Sequence, residues 1–180
     1  MSEIHQYINN LPSEMNKEEF VSCFGGVYEH SPWIAEIAWE KNQTNSATPD
    51  QDTAEKTHQI LSTVVNEASK DEKLALLRAH PDLADRLAIT ENMTQASLSE
   101  QASADLTNCS PQEFDLFQTL NTQYKQKFGF PFIMAVIGAR RDEILDAFRS
   151  RVENEPEIEF ERALSEVHRI ASFRLEAIAE

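Results

Sequence analysis

His80 stands directly before a proline, in Arg78-Ala-His-Pro-Asp-Leu-Ala84, where an amphipathic helix has to stop. A residue ahead of proline is pushed out of the α region, so this imidazole is expected at a helix end or a sharp bend. Histidine titrates near neutrality, and a bend holds its ring off the helix surface while fixing its backbone, which suits proton transfer. Two other places carry residue types that could act with it. Ser97-Leu-Ser-Glu100-Gln101 contains the Ser-x-x-Glu pattern of a capping box. Structurally it closes a helix start; functionally, the same polar end with its free N–H groups could face an anionic ligand. Arg174 follows Ala163, Val167 and Ile170 at helical spacing, and Ile178 continues the stripe. An arginine on an apolar face is costly without a partner. It is either a snorkelling stem at a domain edge or a planar fork of donors for a carboxylate or carbonyl.

The run Lys127-Phe-Gly-Phe-Pro-Phe-Ile-Met-Ala-Val-Ile-Gly138 is the most apolar in the chain. A short buried helix or an extended core segment is the default reading. Gly129 and Pro131 would leave backbone groups there outside helical ladders, and such groups need partners when buried, a role a polar ligand could fill.

These positions need elements to hold them, and the punctuation is helical almost throughout. Asn16 with Glu19 resembles a cap and its reaching-back partner, Phe20, Val21 and Phe24 follow, and Gly25-Gly26 ends the segment. Ser31-Pro32 is read as the cap and first position of a helix carrying Trp33, Ile34, Ile37 and Ala38. After the polar stretch 42–49, a helix from about Asp52 puts Ile60, Leu61, Val64, Val65 and Ala68 on one face. Ser69 and Glu72 cap the next, which ends at His80. Ser110-Pro-Gln-Glu113 opens a stripe of Phe114, Phe117, Leu120, Tyr124 and Phe128 that Gly129 stops. Helices at about Asp142 to Val152 and Pro156 to Ala179 complete the set. The expectation is all-α: a single compact domain over residues 1–180, with about seven to nine helices in a bundle-like arrangement.

Composition narrows the function classes. With 41% hydrophobic residues, 180 residues suit one sizeable core. A formal charge of -15 argues against sequence-independent nucleic-acid binding and against anionic membrane surfaces. Cys23 and Cys109 form neither a disulfide framework nor a metal knuckle, which fits a reducing cytoplasm. No signal-peptide pattern opens the chain, and Ala177-Ile-Ala-Glu180 is no Ser-Lys-Leu address, so a cytoplasmic location is expected. There is no glycine-rich phosphate loop, no His-Glu-x-x-His and no Gly-x-Ser-x-Gly elbow. His5, His30, His58 and His168 are most simply surface or helix-end residues, and no metal-ligand spacing links them. An enzyme of this kind would work without nucleotide or metal.

Several blocks in order carry a resemblance: Phe24-Gly-Gly-Val-Tyr-Glu-His-Ser-Pro-Trp33, Ala79-His-Pro-Asp-Leu-Ala84, Ser97-x-x-Glu100-Gln101, Phe128-Gly-Phe-Pro-Phe-Ile133 and Glu166-Val-His-Arg-Ile-Ala-x-Phe-Arg-Leu175. From about Phe20 to Leu175 the chain resembles the OHCU decarboxylase family, which acts on 2-oxo-4-hydroxy-4-carboxy-5-ureidoimidazoline in the last step from urate to (S)-allantoin. The resemblance implies an all-helical, cofactor-free and often dimeric enzyme with a small-molecule substrate. It implies His80 and Glu100 as catalytic residues, and Ser97, Gln101 and Arg174 as substrate contacts. Pro81 and the backbone around Phe132 and Ile133 resemble the remaining pocket contacts. On that basis His80 would handle a substrate proton, Glu100 would orient the imidazole, and Arg174 would anchor a carbonyl or carboxylate. Two alternatives stand beside this reading. One is a non-catalytic helical interaction module in which Arg174 closes an internal ion pair; the other is a lyase or hydrolase for a related ureido or hydantoin compound.

Overall fold

The computed structural model describes residues 4–42, 52–83 and 110–179. Seven helices run through them: α1 (Lys17–Phe24), α2 (Trp33–Asn42), α3 (Ala54–Glu67), α4 (Lys70–Ala79), α5 (Pro111–Phe128), α6 (Arg141–Arg151) and α7 (Pro156–Ala179). The all-α expectation holds. Among the described residues no strand forms, and a lone antiparallel bridge joins Gln6 to Thr53. No helix of the described residues is long and apolar enough to cross a membrane.

Helix starts follow their local chemistry. The first amides of a helix lack intrahelical partners, and a short polar side chain just upstream supplies one. Asn16 and Glu19 form a reciprocal capping box on α1, and Ser110 and Glu113 form another on α5. The Ser69 hydroxyl accepts the Glu72 N–H at 3.3 Å while the Glu72 carboxylate accepts the Ser69 N–H at 2.8 Å. Ser31 departs from expectation. Helix α2 does begin beside it, but its hydroxyl donates back to the Glu29 carbonyl at 3.0 Å. Gly129 ends α5 in the left-handed region, at φ 77°. Gly25 is needed for a different reason: a Cβ there would lie 2.4 Å from the Val21 carbonyl oxygen.

Backbone proximity groups the chain into two compact units, Met1–Ala79 with His168–Glu180, and His80–Val167. In the first, α1 packs on α2 and α2 on α3. Phe20, Phe24, Ile34, Ala38, Leu61 and Val65 fill its interior. In the second, Phe117, Tyr124, Phe132 and Phe148 are each at most 1% exposed, and the Phe132 and Phe148 rings stack at 3.9 Å.

The sequence reading made His58 and His168 surface or helix-end residues; both instead lie inside helices, α3 and α7, and are half-buried. His168 Nδ1 is 2.8 Å from the Tyr28 hydroxyl, and His58 Nε2 is 2.9 Å from the His168 carbonyl oxygen. Burial, seconded by the nearby His58 and Lys73, pulls the His168 imidazole down to about 4. An unfolded histidine titrates near 6.5. Between those values the unfolded chain holds a proton that the folded one refuses, so stability present above about pH 6.5 is lost as pH falls toward 4. Urea unfolding at pH 7 and pH 4 should therefore show a loss of up to about 3 kcal/mol from this residue. His168→Gln should flatten the profile by that amount; an equally steep profile in the variant would contradict it.

Candidate active site

Helix α4 stops at Ala79, and His80 sits in the bend ahead of Pro81, as the proline requires. The imidazole is buried, with the residue 5% exposed. The chain beyond it is tied down within the same unit. Lys125 on α5 donates to Asp82 Oδ2 at 2.6 Å, and Leu83 is buried. The bend is thus held by proline geometry, one ion pair and one apolar anchor.

The apolar run after Gly129 is neither helix nor strand from Pro131 to Val136, and most of it is buried. Its backbone polar groups therefore need partners, and two come from buried side chains. The Ile133 carbonyl accepts Arg151 Nη1 at 2.7 Å, and the Ala135 N–H donates to Glu166 Oε2 at 2.9 Å. Arg151 is held in turn by Glu159, with Nε and Nη2 reaching Oε1 at 2.9 and 2.6 Å. The same carboxylate accepts the Tyr124 hydroxyl and, through Oε2, the Asn154 amide at 2.7 Å. Burial and this carboxylate push the Tyr124 phenol far above its ordinary value, so it stays a donor at physiological pH. The Phe132 ring lies between Phe148 and the Arg151 guanidinium, 4.5 Å from the ring centre. Its side chain belongs to the core, which leaves its backbone as what it could offer a ligand.

Arg174 is 7% exposed, so it does not snorkel. Its Nη1 donates to Glu29 Oε2 at 2.8 Å and to the Val27 carbonyl at 3.1 Å. The Glu29 side chain is fully buried, and the next residue, His30, takes the left-handed conformation at φ 50°. That conformation is uncommon for a residue with a Cβ. It reverses the chain so that the Glu29 carbonyl is within reach of the Ser31 hydroxyl.

Of the residues singled out from the sequence, His80, Pro81, Phe132 and Ile133 belong to one compact unit and Arg174 to the other. Ser97, Glu100 and Gln101 lie outside the described residues. The sequence reading missed Glu29, Arg151, Glu159 and Glu166. The one available signal was that charged residues at core spacing on α7 must be answered by opposite charge or backbone.

A family model described as OHCU decarboxylase matches residues 13–176. The 2-oxo-4-hydroxy-4-carboxy-5-ureidoimidazoline decarboxylase of Haloferax volcanii is 41% identical over 96% of this chain and 96% of its own length. The enzyme of that name from Halalkalicoccus jeotgali is 43% identical, covering 92% of this chain and 88% of its own. Among solved structures, an (S)-allantoin synthase matches with a TM-score of 0.72 and 34% identity. That match covers 93% of this chain, which spans 52% of the synthase chain.

The Glu29–Arg174 pair yields a stability prediction. Removing one member of a buried pair strands the other and costs about 3–5 kcal/mol. Glu29→Ala should lower the unfolding free energy by that amount, and Glu29→Gln, which retains an acceptor, by less. A loss below about 1 kcal/mol in urea titrations of Glu29→Ala would show that Arg174 does not depend on Glu29.

Proposed function

We propose, from the premise that this chain belongs to the OHCU decarboxylase family, that it converts 2-oxo-4-hydroxy-4-carboxy-5-ureidoimidazoline to (S)-allantoin and carbon dioxide. This is a carboxy-lyase step that completes urate oxidation in purine catabolism. The observation that supports the reading is the place of His80, which the resemblance makes the catalytic histidine: it is buried in a bend immediately past a helix end.

The chemistry needs no added electron sink. Breaking the bond between the carboxylate and the hydroxyl-bearing ring carbon leaves an electron pair, which flows toward the adjacent ring C=N. The ring nitrogen takes up charge and a proton, leaving an enol. Loss of the hydroxyl proton and protonation of the neighbouring carbon on one face then give the ketone of allantoin. His80 handles the hydroxyl proton in this proposal, and Glu100 orients the imidazole and sets its protonation. Arg174 anchors a carbonyl or carboxylate oxygen, while Ser97 and Gln101 hold the ureido and ring edges. Pro81 and the backbone at Phe132 and Ile133 complete the contacts. The buried apolar run on either side of Ile133 supports an environment poor in water. We further propose that the enzyme works without cofactor, in the cytoplasm, as a homodimer.

The test generates the unstable substrate in place with urate oxidase and hydroxyisourate hydrolase and follows optically active allantoin. Wild-type protein should give the (S) enantiomer well above the spontaneous rate. His80→Ala and Glu100→Ala should abolish the enhancement while helical circular dichroism is retained. Racemic product at the spontaneous rate from the wild type would refute the activity, and full turnover by either variant would refute its assigned role.

A further inference from the structure

Glu166 is 3% exposed and carries a carboxylate into the interior from the middle of α7. Its Oε2 accepts the Ala135 N–H at 2.9 Å, and its Oε1 lies 2.6 Å from Arg162 Nη2 one turn earlier. Arg162 is 54% exposed at its side chain, so charge compensation comes from the solvent side and the bond to Ala135 from the interior side. About two turns before Glu166 on the same helix, Glu159 holds Arg151, and Arg151 holds the Ile133 carbonyl. The two backbone groups on either side of Met134, one acceptor and one donor, are therefore both fixed by acidic residues of α7. The first works through a guanidinium and the second directly.

We propose that Glu166 is a positioning residue for decarboxylation, setting the orientation of the Ile133–Ala135 backbone through the Ala135 N–H. This rests on the proposed function, in which the Phe132 and Ile133 backbone meets substrate. The run from Pro131 to Val136 has no helical or sheet ladder of its own; side chains hold the Ile133 carbonyl and the Ala135 N–H, and the turn that follows holds the Val136 carbonyl through the Ala139 N–H. Freeing the Ala135 N–H lets the plane between Met134 and Ala135 rotate, which moves the neighbouring Ile133 carbonyl and the ligand-facing backbone with it. A misplacement of about 1 Å in a positioning element costs on the order of 100-fold in rate. The part Glu166 plays is the hydrogen bond and not the charge, which separates it from a proton-transfer role.

The experiment compares wild type, Glu166→Ala and Glu166→Gln by steady-state turnover of the in situ substrate and by hydrogen exchange at the Ala135 amide, with circular dichroism as the control for folding. Glu166→Ala should lower kcat/KM by about 100-fold and speed Ala135 exchange. Glu166→Gln, whose amide oxygen still accepts the N–H, should restore protection and bring kcat/KM to within about threefold of wild type. The pH profile of kcat should be unchanged in Glu166→Gln, because no titrating group of the reaction has been removed. Wild-type kcat/KM in Glu166→Ala with a fast-exchanging Ala135 overturns the proposal. So does a Glu166→Gln variant that keeps Ala135 protected but loses about 100-fold. If Glu166→Ala does not fold, the glutamine variant decides alone on the same two readouts. Wild-type turnover, measured first, judges the activity separately; an inactive wild type overturns the activity and this role with it.

Discussion

The fold turns on one obligation: the charged side chains buried along α7 must each be answered. Glu159, Glu166 and Arg174 are 0%, 3% and 7% exposed, and about two turns of helix separate each from the next. An ionised group left unpaired in such surroundings costs several kcal/mol, so each position requires a specific partner as well as a packed neighbour. Glu159 takes Arg151, Tyr124 and Asn154; Glu166 takes the Ala135 N–H and Arg162; Arg174 takes Glu29 and the Val27 carbonyl. The partners are mostly not helical neighbours. Tyr124 and Arg151 lie on other helices, whereas Val27, Glu29, Ala135 and Asn154 lie in segments without a regular ladder, and pairing with α7 helps to give those segments a defined shape.

Packing and pairing do different work in these irregular stretches. Apolar packing of Phe117, Tyr124, Phe132 and Phe148 supplies bulk stability, each ring contributing about 1.5–3 kcal/mol by removal from water. Packing alone does not orient a peptide plane. Hydrogen bonds from buried charged groups do, and they are stronger than neutral ones. The Phe132 ring belongs to the core, while the backbone just after it, at Ile133 and Ala135, is held by Arg151 and by Glu166 of α7.

Local grammar was legible in the sequence. Asn16 with Glu19, Ser69 with Glu72 and Ser110 with Glu113 cap helices as their spacing predicts, because a cap depends on side chains three residues apart. Gly129 and the proline after His80 stop helices for equally local reasons. Ser31 deceived because its hydroxyl donates to the Glu29 carbonyl, a bond that its place before Pro32 did not announce. His58 and His168 deceived because their environment is made by residues far along the chain; Tyr28 is 140 residues from His168. Arg174 was visible as an anomaly, yet nothing in its own stretch named Glu29. The partners of the Ile133 carbonyl and the Ala135 N–H were hidden in the same way. The backbone demand was readable from Gly129 and Pro131, but the groups that meet it lie 18 and 31 residues away. His80, Glu100 and Arg174 drew attention by residue type and spacing, whereas Pro81 and the Phe132–Ile133 backbone entered as candidates through motif resemblance.

The central claim is that a backbone segment shaped by α7 presents itself, with His80, to a ureido ligand. A crystal structure of this protein soaked with (S)-allantoin tests it most directly. The account predicts ligand density against the His80 ring and the Phe132–Ile133 backbone, with the Ile133 carbonyl still on Arg151 and the Ala135 N–H still on Glu166. Allantoin bound away from His80, or a ligand that takes over the Ile133 and Ala135 hydrogen bonds from Arg151 and Glu166, would contradict it.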